Sequence, residues 1–237
     1  MSGLLRYGTI GALSAALAAC AAKQEPVVAP PPPPMPQVVI PPKPRPPLGA
    51  ANVLAIPPLN AAGMRQTVNL NISPAQTIWN FRSAYNVAAL NCMHAEHVDI
   101  LGGYKAFLKA NAKRLTAVNK DVDKEFRAAK GAGATKARES YMTQVYNFYA
   151  LPPTMPAFCD VALAVSREGA TVPAKGLDDF AKQALPRLDR VLLDFFNSYD
   201  QYRADLAAWQ QRYTPTSPVI APAPVATAPA ASVPAPR

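Results

Sequence analysis

"LDDFAKQALPRLDRVLLDFFNSYDQYRADLAAW" (residues 177–209) decides the fold class. Leu188, Val191, Leu192, Phe195, Tyr199, Tyr202, Leu206 and Trp209 recur at steps of three and four, which puts them on one arc of an α-helix. Leu177, Phe180, Ala181 and Ala184 keep the same register, so the helix is predicted to begin near Leu177. Pro186 lies inside it. A proline there donates no amide hydrogen and crowds the preceding turn, so a kink or a split is expected.

The upstream chain supplies partners for that arc. Ser73-Pro74-Ala75-Gln76 is a helix-start signature, with a serine cap, a proline in the first turn and a glutamine three residues after the cap. Ile78, Phe81, Tyr85, Ala88, Ala89 and Cys92 follow on one face. A second helix is predicted over about 100–129, with Leu101, Tyr104, Leu108, Leu115, Val118, Val122 and Phe126 as its stripe. The glycines of 131–135 break it from a third helix, about 137–150, which Pro152 and Pro153 end. A fourth and shorter helix carries Phe158, Val161, Ala162 and Val165 and stops near Gly169. No segment alternates with the period of a strand. The expected fold is all-α, a bundle of about four to five helices.

Proline marks where the bundle stops. The chain has 237 residues and 27 prolines, and twelve of these lie within 26–47, with a further group within 215–236. Such runs cannot form helix or sheet interiors, and they favour polyproline II at about 3.1 Å per residue. Extended from Cys20 to Leu48, the linker would reach roughly 80–90 Å. A spacer of no preferred length is the alternative. The organisation predicted is 1–19 signal, 20–63 anchor and proline-rich linker, 64–213 helical domain, and 214–237 a disordered Pro/Ala-rich tail. About 150 residues are enough for one self-sufficient core.

Residues 1–19 carry Arg6 and then an apolar run of twelve, Gly8 to Ala19. That is too short to span a bilayer and reads as an export signal. An ordinary cleaved signal would use the small residues Ala16 and Ala18. Leu17-Ala18-Ala19-Cys20, however, resembles the lipobox of bacterial lipoproteins. This resemblance covers residues 1–22 only, and the helical domain resembles no characterised family. It implies that Cys20 becomes the first mature residue and carries the lipid. Three acyl chains exceed what stable anchoring needs. Ala21 follows where an aspartate would favour retention at the inner membrane, so the implied location is the outer membrane, with the domain facing the periplasm and surface exposure left open.

An exported chain meets an oxidising compartment. With Cys20 lipidated, Cys92 and Cys159 remain as an even pair and are expected to form a disulfide. Two packed free thiols are the alternative.

Candidates for chemistry are few. His94 and His97, with Glu96 and Asp99 nearby, stand three apart, a spacing that can share a metal on a helix. Continued from the first helix, both would face solvent, and no further histidine completes a site. No serine sits in a strand-turn-helix elbow, and Asp178 and Asp179 fit a helix start better than an acid pair. The expectation is a protein that is not an enzyme and has no metal or other cofactor, with a metal-dependent sensor or enzyme using His94 and His97 as the competing class. A passive subunit of an envelope assembly is a third.

Charge is more informative. The formal net charge is +9, and between Lys105 and Glu139 ten basic residues face four acidic ones. Lys105, Lys109, Lys113, Lys120, Lys124 and Arg127 fall within about a third of the second helix's circumference, away from its apolar stripe. A solvated face is the plain reading of such a stripe. The functional one is attraction to an anionic envelope polymer or an envelope protein, since summed charge raises local affinity without special geometry. Nucleic acid suits the charge but not the compartment. A second patch, Tyr141 to Phe158, is aromatic and reads as helix packing with tyrosine hydroxyls at the rim, or as a groove for peptide or glycan.

Overall fold

A computed structural model describes residues 39–213. Cys20, the signal and the tail 214–237 lie outside the described residues. Within them are six α-helices: α1 (Pro74–Asn91), α2 (Asp99–Ala110), α3 (Ala112–Lys130), α4 (Ala134–Tyr149), α5 (Met155–Gly169) and α6 (Leu177–Tyr213). The only strand-like pairing among the described residues is a single antiparallel bridge between Leu59 and Arg65. The fold is an all-α bundle.

α1 is the axle of the bundle. It packs against each of the other five helices, and Ile78, Phe81, Ala84, Val87, Ala88 and Ala89 are all buried although they point in different directions. A helix that is buried on every side belongs in the middle. Its start is the expected capping box: the Gln76 amide donates to Ser73 Oγ, and the Ser73 amide donates to Gln76 Oε1, both at 3.0 Å.

α2 packs on α1 and α5 at very close range. Gly103 faces the hydroxyls of Tyr85 and Ser166, which share a hydrogen bond of 2.6 Å, and a Cβ at that position would collide with both. Only glycine lets the helix axes approach this far.

Three expectations need correction. The helix predicted over 100–129 is two helices, because Asn111 leaves helical geometry at φ −108°, ψ 10°. Its buried side chain turns back to donate to the Phe107 carbonyl at 2.9 Å, offering the chain an end it would otherwise lack. Pro186, by contrast, does not split α6, which runs unbroken from Leu177 to Tyr213. Pro186 and Lys182 are both exposed, so the carbonyl that loses its partner is left to water.

The third correction concerns the proline-rich linker. The compact body begins at Ile40, not at Met64, because 41–57 lies as a strap along α6. The indole N–H of Trp209 donates to the Pro41 carbonyl (2.8 Å), Tyr199 Oη to Ala51 (2.8 Å) and Arg203 to Leu54 (2.7 Å). Buried Arg65 donates to the Pro57 carbonyl and to Asn197 and Asp200 of α6, each at 2.8 Å, and lies over the Phe196 ring. Proline has no amide to donate but keeps its carbonyl, and the strap takes part in these contacts as an acceptor, through the carbonyls of Pro41, Ala51, Leu54 and Pro57. Arg65→Met is therefore expected to free the strap while leaving the bundle folded. Limited proteolysis should then cut within 52–63 at least tenfold faster, and an unchanged cleavage rate would show that Arg65 does not hold the strap.

Candidate functional site

The basic residues divide at Asn111. Lys105 and Lys109 stand one turn apart on α2, and Lys113, Lys120, Lys124 and Arg127 follow on α3 at steps of seven, four and three, which keeps those four on one face. All six are exposed, and none forms an ion pair among the described residues.

The acids of α3 are engaged elsewhere, which is why that face keeps its charge. Asp121 pairs with Arg114 at 3.9 Å, Asp123 pairs with Arg138 of α4, and Glu125 accepts the Ser73 hydroxyl at 2.9 Å. Arg114 itself forks onto Asp178 at the start of α6, at 2.9 and 2.6 Å. Hydrogen bonding from Arg114 holds the Asp178 carboxyl below its usual range. So Arg114 and Arg138 tie helices together, and Lys113, Lys120, Lys124 and Arg127 are left over.

Around the histidines the structure departs from expectation. α1 ends at Asn91, where Cys92 leaves helical geometry and bonds to Cys159 of α5. Beyond it, His94 is exposed, but His97 sits in a short turn, Ala95–His97, and is buried. His97 Nε2 lies 2.8 Å from Asp160 Oδ1. His97 therefore faces α5 instead of solvent, because the disulfide redirects the chain before the helix could continue. Among the described residues no group of three or more His, Cys, Asp or Glu side chains is placed to hold a metal.

The aromatic patch of α4 is part of a buried polar chain. Tyr149 is fully buried, not at the rim, and its hydroxyl donates to Asp189 Oδ1 at 2.6 Å. Asn69 donates to that same oxygen (2.8 Å) and accepts from Asn80 (2.6 Å), whose own side-chain oxygen accepts from Tyr141 (2.9 Å). Burial lifts the Asp189 carboxyl to about 7 and the Tyr141 phenol to about 12. The chain of contacts joins α1, α4, α6 and the 67–71 turn. Asp189 was missed from sequence although Leu185, Leu192 and Phe196 flank it at helical spacing, the one signal that it points inward.

A cavity of about 400 Å³ opens between α1 and α3, lined by Trp79, Arg82, Leu108, Leu115 and Val118, with Ala112, Thr116 and Asn119 at its outer wall. Arg82 also went unnoticed. It is the single charge in an otherwise apolar or neutral α1. Among the described residues no single helix is long and apolar enough to cross a membrane. Comparison with known proteins finds no match to this chain among family models, curated proteins or solved structures.

Proposed function

We propose that the chain is an envelope lipoprotein, anchored through Cys20 to the outer membrane and facing the periplasm. Its helical domain is a non-catalytic binding module for an anionic envelope polymer or an acidic envelope protein. The observation that carries this reading is the α3 face, where four exposed cations share one side and the nearby acids are already engaged. Unpaired charges of one sign on one face add their potentials. The docked strap supports a shorter tether than the bare sequence implies. From Cys20 to Ile40 an extended chain reaches roughly 60 Å at about 3.1 Å per residue.

The break at Asn111 sharpens the test, since α2 and α3 can be reversed separately. Replacing Lys113, Lys120, Lys124 and Arg127 by glutamate should lower binding to isolated cell-wall sacculi at least tenfold, with helicity by circular dichroism unchanged. Reversing Lys105 and Lys109 alone should cost less. Equal binding by the α3 variant and the wild type would remove this surface from the account.

A further inference from the structure

The cavity between α1 and α3 contains a cation that the fold does not neutralise. Its volume of about 400 Å³ falls within the range of small-molecule sites, about 300–1,000 Å³. Trp79, Leu108, Leu115 and Val118 give it an apolar wall, and Trp79 and Val118 are themselves buried. Arg82 is half-buried, and its Nη1 donates to the Tyr146 hydroxyl at 3.2 Å, a neutral acceptor. No carboxylate pairs with Arg82 among the described residues.

A guanidinium removed from water normally has a counter-charge, because solvation lost must be replaced. The acids of α3, the helix across the cavity, are engaged elsewhere as described. The Arg82 charge also reaches the buried Tyr104 phenol, which burial pushes up and Arg82 pulls back. An anion at Arg82 would supply the missing charge and accept from a fork of donors suited to carboxylate or phosphate.

We propose that this cavity binds a single-chain amphiphile with an anionic head, its alkyl chain against Trp79 and Leu115 and its head on the Arg82 guanidinium. The site uses none of the six exposed cations, so it stands or falls apart from the reading of the α3 face.

Trp79 is one of only two tryptophans in the chain, and Trp209→Phe leaves it as the sole reporter. In the full chain carrying that change, decanoate brominated at its tail should quench Trp79 fluorescence saturably. Brominated decanol should bind at least tenfold more weakly. Decyl phosphate displaces the brominated decanoate, and whichever anion binds more tightly identifies the head. Arg82→Met should abolish the preference of decanoate over decanol. Ala112→Phe, at an exposed position on the outer wall, should block both and leaves Arg82 untouched, so it keeps the test valid should Arg82→Met fail to fold. Absence of quenching, equal binding of decanoate and decanol, or unchanged quenching in the Ala112→Phe variant would each overturn the proposal.

Discussion

Replacing Cys92 and Cys159 together by alanine is expected to lower stability by roughly 4 kcal/mol, the value the chain-entropy relation gives for a loop this long. The bond joins residues 67 apart, tying the end of the central helix α1 to α5. Both sulfurs are buried, so the loss is not softened by solvent exposure of the sites. For a body of this size the midpoint of thermal unfolding should fall by about 8–16 °C. Denaturant unfolding with and without a reductant gives the same quantity in the unaltered chain. The release of Cys92 should also loosen the Ala95–His97 turn, so His97 should become accessible to an imidazole-modifying reagent in the double variant. A loss below about 1 kcal/mol would mean the bundle holds α5 in place without the bond.

The second large effect belongs to Asp189 and has an uncommon sign. Its carboxyl lies at about 7 in the folded chain, raised by burial and only partly offset by hydrogen bonds from Tyr149 and Asn69. In the unfolded chain it returns to near 3.9. Between those values the folded state binds the extra proton. Stability from this group is therefore complete below about pH 4 and is lost as pH rises towards 7, by an amount on the order of a few kcal/mol. Asp189→Asn keeps an oxygen to accept from Tyr149 and Asn69 but cannot ionise. The variant should match the wild type near pH 4 and exceed it at pH 8, and urea midpoints at the two values measure the difference. Surface acids such as Asp178 and Glu168, each held low by hydrogen bonding from an arginine, push the other way in both proteins and cancel in the comparison. Equal midpoints at pH 8 would show that the folded carboxyl is not destabilised by its site.

What the sequence makes legible follows the range of the interactions. The α1 capping box, the glycine break after α3 and the register of α6 depend on residues within one or two turns, and they are found where local rules place them. The disulfide is legible through the parity of the cysteines left once the lipobox resemblance sets Cys20 aside. The Asn111 break is not, because asparagine is only a weak helix breaker and Leu108 and Leu115, two turns apart, keep the stripe in register across it. Arg65, Arg82, His97 and Asp189 take their roles from groups far along the chain: Asn197 and Asp200, Tyr146, Asp160, and Tyr149 with Asn69. The strap defeats pattern reading for a different reason. A proline run shows no periodicity and offers few donors, yet its carbonyls fit the row of donors that α6 presents through Tyr199, Arg203 and Trp209. At α3, composition shows the cations, whereas their lack of partners is visible only once Asp121, Asp123 and Glu125 are seen to be engaged elsewhere.

Co-sedimentation of residues 40–213 with purified cell-wall sacculi, across a salt series from about 0.02 to 0.5 M, tests the central claim most directly, because screening lengths fall from well beyond the lysine spacing to a few ångströms. Beginning the fragment at Ile40 keeps the strap on α6. The account predicts pelleting at low salt that declines steeply as salt is raised and is absent in the α3 charge-reversal variant. Failure to pellet at low salt, or pelleting indifferent to salt and to those four substitutions, would contradict it.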